Sequence, residues 1–208
     1  MRRILRLFSA AALLLALPTA AQAQGLKTDF SETIKGPVKL EIIVSEDLAH
    51  RANNLPKRQS QRISRTRLNG SFSNNGKYGD KAITFLLNDL KEELVEDFEK
   101  RNIVISDKAE TILKVTIEKV KPNRSTYNQL KEDSNLSVRS YSIGGAEVSV
   151  DISTINGKNL GHTYYDYYSS FGDRPIQGRK SWLDASDAFH SFSKQFSKKL
   201  AKAGAANG

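Results

Sequence analysis

Residues 145–168 read GAEVSVDISTINGKNLGHTYYDYY, and this stretch decides what kind of fold the chain can form. Ala146, Val148, Val150 and Ile152 alternate with Glu147, Ser149, Asp151 and Ser153, the period of a strand with one buried face. Asn156-Gly157 supplies the dipeptide favoured in a tight hairpin, where both central residues need positive φ. A returning strand follows from about Asn159 to Ser169. Alternation within it puts Tyr164, Asp166 and Tyr168 on one face and Tyr165 and Tyr167 on the other.

Such a hairpin needs cover for its apolar face, and the flanking sequence offers two helices. Downstream, Trp182, Ala185, Phe189, Phe192, Phe196, Leu200 and Ala203 fall three or four apart; Ser181 and Asp184 form an approximate capping pair, and Gly204 can end the helix. Upstream, Ile83, Leu86, Leu87, Leu90, Leu94 and Phe98 share that spacing against a face of Asp89, Glu92, Glu93, Glu96 and Lys100. This predicts a helix over about Asp80 to Arg101, with Asp80 as N-cap.

Further strands are predicted at Val38 to Val44, where Val38, Leu40, Ile42 and Val44 alternate with Lys39, Glu41, Ile43 and Ser45. Extended runs also follow the first helix, at Ile103 to Ile105 and then at Thr111, Leu113, Val115 and Ile117. Asn123 to Asn135 reads as a polar connection, and Leu136 to Tyr141 as the start of the third strand before Gly144-Gly145 bends it. The expected fold is α+β: a small mixed or antiparallel sheet of about four strands, with two amphipathic helices on one face, in the order strand, helix, three strands, helix.

The N-terminus predicts a location. Arg2, Arg3 and Arg6 precede an apolar run from Leu7 to Leu17, and Ala21-Gln22-Ala23 has the small-x-small form of a processing site. Residues 1–23 are therefore expected to be a cleaved signal peptide, because Pro18 ends the run well short of the roughly 20 apolar residues a membrane span needs. Without its three Arg the net charge falls from +9 to +6. Residues 24–37 read as a linker, 38–203 as a single α+β domain, and 204–208 as a flexible tail. The chain has 208 residues and no cysteine, which excludes disulfides, thiol catalysis, cysteine-ligated zinc and lipidation at a cysteine. A soluble periplasmic protein is expected.

Within the domain, residues 48–79 form a basic insertion without an acidic residue. Arg51, Lys57, Arg58, Arg62, Arg65 and Arg67 are candidates for anion binding, since guanidinium groups grip phosphate through two hydrogen bonds at once. Export makes nucleic acid an unsuitable partner and favours lipid headgroups or lipopolysaccharide, with peripheral membrane contact. Alternatively the segment is a solvated loop.

Motifs for hydrolases, metalloproteases, phosphate loops and dinucleotide sites are absent, and His50, His162 and His190 lie far apart in sequence. No catalytic residue, metal site or cofactor is expected. Tyr164 and Tyr168 read either as cross-strand packing or as an aromatic surface for a glycan or peptide. A competing reading is a periplasmic hydrolase using carboxylates or tyrosines brought together by the fold, such as Asp166 with Tyr168 or His162.

The segment from Ala109 to Val120, then Gly145 to Ser153 with Asn156-Gly157-Lys158, then Trp182 opening the last helix, resembles a group of small bacterial envelope proteins. These include YajG-type lipoproteins, outer-membrane activators of penicillin-binding proteins and the lipopolysaccharide-assembly lipoprotein. The resemblance covers roughly Val38 to Ala203 in element order, apart from the basic insertion. It implies a compact domain that scaffolds or regulates envelope assembly without catalysis, with an envelope protein, anionic lipid, lipopolysaccharide or peptidoglycan as partner. The relatives are commonly lipid-anchored, which this cysteine-free chain does not match.

Overall fold

The computed structural model describes residues 25–54, 76–134, 136–138, 141–169 and 180–207. One mixed sheet of five strands organises them: β1 (Gly25–Phe30), β2 (Val38–Val44), β3 (Thr111–Lys121), β4 (Gly145–Thr154) and β5 (Asn159–Tyr168), in spatial order β1-β5-β4-β3-β2. All neighbours pair antiparallel except β2 with β3, which are parallel and connected through α1 (Glu46–Asn53) and α2 (Asp80–Glu99). Between β3 and β4 lies the short α3 (Tyr127–Glu132), and α4 (Leu183–Lys202) follows β5.

The core is the layer between the sheet and α2 with α4. Leu113, Val115 and Ile117 of β3, Ala146, Val148, Val150 and Ile152 of β4, and Leu86, Leu90, Leu94 and Phe98 of α2 are buried there with Phe189, Phe192 and Phe196 of α4. Phe192 stacks on Phe196 at 5.4 Å between ring centroids and meets Tyr165 of β5 at 5.7 Å, while Phe98 meets Phe196 at 6.2 Å. Burial of each such side chain contributes about 1.5 to 3 kcal/mol, far above the tenths per residue from helix propensity. Hydroxyls knit the helix seam: Ser186 Oγ donates to Asp89 at 2.7 Å and Ser193 Oγ to the Glu93 carbonyl at 2.7 Å. No helix among the described residues is long and apolar enough to cross a membrane.

The α+β class holds, whereas strand number and helix layout differ from expectation. A fifth strand comes from residues expected to be linker: Gly25 to Phe30 pairs along β5 from Asp166 to Gly161. Within it Leu26, Thr28 and Phe30 alternate with Lys27 and Asp29, but only Leu26 and Phe30 are apolar and both are just partly buried, so the sequence signal is short and the pairing along β5 holds the strand in place. Two extra helices occupy connections read as irregular. Leu48 and Ala52 of α1 are buried, and a capping box between Thr126 and Gln129 starts α3. Residues 103–105 form only a single bridge, Ile105 to Val38, and Tyr141 only one to Arg124, so neither stretch is a strand.

The caps and the tail need correction too. Gly79, not Asp80, is the N-cap of α2, and Asp80 accepts a hydrogen bond from Asn53 at 2.9 Å. The expected Ser181–Asp184 capping pair does not form: the N-cap of α4 is Trp182, whose indole has no acceptor to offer, while Ser181 Oγ donates to the Ser125 carbonyl at 3.3 Å and Asp184 accepts from Gly144 and Ser169. In the β4–β5 turn only Gly157 has positive φ, at 81°, with its N–H donating to the Thr154 carbonyl at 2.9 Å. Residues 205–207 are not a loose tail: they form a 3-10 turn with Ala205 buried, after Gly204 reverses the chain at φ 114°. The expected signal peptide at 1–23 lies outside the described residues.

Candidate functional site

The helices cover one face of the sheet and leave the other without a covering helix among the described residues. Strand alternation sends Glu147, Ser149 and Asp151 of β4 to that open face, with His162, Tyr164, Asp166 and Tyr168 of β5. Glu147 sits opposite Asp166, so Tyr164 and Tyr168, two residues to either side, are its diagonal neighbours. Both reach it. Tyr164 Oη donates to Glu147 Oε2 at 3.0 Å and Tyr168 Oη donates to Oε1 at 2.6 Å.

From the other side, Lys119 Nζ of β3 donates to Glu147 Oε2 at 2.8 Å. A bulge makes this possible. Ile117 is opposite Val148, but the next paired residue is Lys119, opposite Glu147, so Glu118 is the extra residue. Without that insertion two carboxylates would face each other across the strands. Instead Glu118 turns to accept from Ser149 Oγ at 2.5 Å, and its carbonyl accepts from Ser45 Oγ at 2.9 Å. The bulge has a sequence signal: the alternating apolar residues Leu113, Val115 and Ile117 are followed by a three-residue skip to Val120.

Gly145 completes the arrangement. It lies opposite Tyr168, and a Cβ there would collide with the Tyr167 carbonyl oxygen and come within 2.7 Å of the Tyr168 ring. The missing side chain lets that ring lie across β4, so its hydroxyl reaches Glu147. Lys121 Nζ stands 4.6 Å from the Tyr168 ring centroid, a cation–π contact.

The electrostatics follow from this geometry. Burial pushes the Glu147 carboxyl upward, but hydrogen bonds from Lys119, Tyr168 and Tyr164 and the Lys119 charge outweigh it, leaving it below the usual carboxylate value. The phenols move the other way: partial burial and the bond to Glu147 push Tyr164 up to about 12 and raise Tyr168 further. At neutral pH the site is one carboxylate held by two neutral hydroxyls and one ammonium.

The expected aromatic pair Tyr164 and Tyr168 is thus brought together, and sequence reasoning missed the residue that joins them, Glu147. Asp166 and His162 lie on the same face, but Tyr168 donates to Glu147 and His162 pairs with Asp151 at 2.8 Å. His190 bonds Glu93 of α2 at 2.8 Å, a helix-flank contact. No group of His, Asp and Glu among the described residues could hold a metal ion.

For the basic candidates the outcome divides. Arg51 belongs to α1 and pairs with Asp47 one turn earlier at 2.7 Å. Asp47, just outside the acid-free stretch, therefore corrects the expectation that Arg51 has no nearby acid. The ends of the expected insertion are likewise part of the domain, since Leu48, Ala52 and Tyr78 are buried. Lys57, Arg58, Arg62, Arg65 and Arg67 lie outside the described residues.

A second polar cluster joins elements. Buried Asp184, in the first turn of α4, accepts from the Gly144 N–H at 3.1 Å and from Ser169 Oγ at 2.6 Å, while its own N–H donates to Asn123 Oδ1 at 3.3 Å. Trp182 meets Tyr78 edge-on at 5.5 Å. These contacts fix α4 to the start of β4.

No family model and no curated protein matches the chain. Among solved structures it is similar to the PelC dodecamer from Paraburkholderia phytofirmans, with 9% identity and a TM-score of 0.41, over 86% of this chain and 97% of that one. It is also similar to a single-substitution variant of that dodecamer, with 10% identity and a TM-score of 0.35, over 81% and 94% of the two chains. At these scores the functional reading rests on this chain's own side chains.

Proposed function

We propose that this is an exported, non-enzymatic binding or accessory protein of the bacterial cell envelope, and that its open sheet face engages a glycan such as the sugar backbone of peptidoglycan. What supports the reading is the Glu147 arrangement: one carboxylate fixes Tyr164, Tyr168 and Lys119 in place. Half-buried tyrosines offer flat apolar surface with polar rims, and carboxylates and ammonium groups beside them match sugar hydroxyls. The side chains best suited to acid–base chemistry, Glu147, Tyr168 and His162, are engaged with fixed partners, which favours a binding role. The residues from Lys57 to Arg67 add a second contact, to anionic lipid or lipopolysaccharide.

Co-sedimentation with isolated cell-wall sacculi tests this. Tyr164→Ala and Tyr168→Ala should each weaken retention about five- to tenfold, as expected for losing one aromatic contact. Tyr164→Phe should keep most of it. Retention that ignores both alanine substitutions, or no retention of the parent protein, would refute the reading.

A further inference from the structure

Among the described residues the sheet is open, and its two outer strands are β1 and β2. On β2, the Val38 N–H donates away from the sheet to the Val104 carbonyl at 2.9 Å, and the Val38 carbonyl accepts from the Ser106 N–H at 2.9 Å. Ser45 N–H instead donates inward, to the Ile117 carbonyl of β3 at 3.0 Å. Strand alternation then directs the N–H and C=O of Leu40, Ile42 and Val44 outward, and none of the described residues pairs with them. On β1, Ser31 N–H donates inward to the Leu160 carbonyl at 3.0 Å, so Leu26, Thr28 and Phe30 point their backbone groups outward. Unpaired edge groups are a template for another strand.

We propose that these two edges recognise each other between copies of this chain, β1 of one copy adding antiparallel to β2 of the next, with Leu26 opposite Ile42 and Thr28 opposite Leu40. Strand directions allow it. β3 and β5 both run antiparallel to β4, β1 runs against β5 and β2 runs with β3, so β1 and β2 point in opposite directions. Continuing the sheet into a second copy therefore brings them together antiparallel, with outward backbone groups meeting outward ones.

Both faces agree with that register. Leu26, Leu40 and Ile42 are partly buried side chains at the border of the core, and the pairing extends the apolar layer across the junction. On the open face the same alignment sets Lys27 against Glu41 and Asp29 against Lys39, two opposite-charge pairs at once. Sliding the strands by two residues one way puts Asp29 against Glu41, and the other way Lys27 against Lys39. A one-residue slip would turn the apolar side chains to the wrong face. Charges on an edge ordinarily discourage pairing; here their order discourages every neighbouring register and leaves one. Within one copy Lys39 and Glu41 pair with each other at 2.7 Å, an exposed contact of small worth that can exchange for the two across the junction.

Val104 to Ser106, seated on Val38, limits the contact to the stretch beyond it. The contact is short, so each junction is weak alone. Because it joins two different edges it is head-to-tail, and copies add until a ring closes or a filament grows.

Sedimentation equilibrium of the exported chain across a wide concentration range tests the proposal. Average mass should rise with concentration. Lys27→Glu and Glu41→Lys should each weaken association about fivefold or more, and the double variant should recover it. An equimolar mixture of the two single variants should also associate, because copies that alternate along the assembly place opposite charges at positions 27 and 41 of every junction. Thr28→Pro removes an outward N–H that the fold does not use, so it should block association while the melting temperature stays near that of the parent. A chain that is monomeric at every concentration, association indifferent to the single charge reversals, or failure of both the double variant and the mixture to recover it would each overturn the proposal. These outcomes are independent of glycan binding.

Discussion

Replacing Glu147 by Ala removes the acceptor that Lys119, Tyr164 and Tyr168 share. Hydrogen bonds to a charged group contribute about 1.5 to 3 kcal/mol each, but three such values cannot be added here. The three donors share two oxygens, Lys119 is 54% exposed, and on the open face the freed groups regain water. An exposed ammonium–carboxylate pair contributes about 0 to 1 kcal/mol, so most of the effect rests with the phenols and the carboxylate, whose own side chain is only 13% exposed. The expected loss is about 2 kcal/mol, or about 4 to 8 °C in melting temperature for a domain of this size. Asp151→Ala is the control, since Asp151 is 65% exposed and its side-chain ion pair among the described residues is with the half-exposed His162, and it should change the melt by less than about 0.5 kcal/mol. A double-mutant cycle of Glu147→Ala with Tyr168→Phe should show coupling of about 0.5 kcal/mol or more. Equal melts for Glu147→Ala and Asp151→Ala would refute the cooperative arrangement. The pH dependence has a definite sign at both ends. The Glu147 carboxyl lies below its usual value of 4.5 when folded, so its contribution is present above that value and lost as pH falls through the lower folded one. Tyr164 is raised from 10 to about 12, so its contribution is present below 10 and lost as pH rises toward 12.

Two further outcomes separate core from surface. Phe192→Ala removes a fully buried ring that touches Phe196 and Tyr165, and transfer and cavity losses together should cost about 3 to 5 kcal/mol in denaturant unfolding; an unchanged midpoint would mean that this ring does not organise the core. Neutralising Arg62, Arg65 and Arg67 together should weaken binding to vesicles of anionic lipid or lipopolysaccharide and leave the melt unchanged, with binding of the parent falling steeply as salt screens charges over about 8 Å; salt-independent binding would leave the segment a solvated loop.

What could be read from the residues was set by burial, and what could not was set by partners. β4 alternates because Val148, Val150 and Ile152 face a helix while the polar Ser149 and Asp151 lie on the other face, Asp151 in water and Ser149 bonded to Glu118, and α4 shows its period because its phenylalanines have one place to go. Gly25 to Phe30 has only the half-buried Leu26 and Phe30 as a stripe: β5 holds it mainly through backbone groups, which every residue carries, so it reads as a linker. α1 was hidden for another reason, since Leu48 and Ala52 are too few to make a pattern over its eight residues. The candidate site shows the same limit. Alternation alone puts Tyr164 and Tyr168 on one face, but their convergence on Glu147 depends on the order of β4 beside β5, and Lys119 joins them only through the bulge at Glu118. That bulge leaves a trace in the shift of the buried phase from Ile117 to Val120, whereas nothing local to Glu147 distinguishes it from Asp151 four residues later. One carboxylate is enclosed by three donors and the other meets one exposed histidine, a difference made by neighbouring strands.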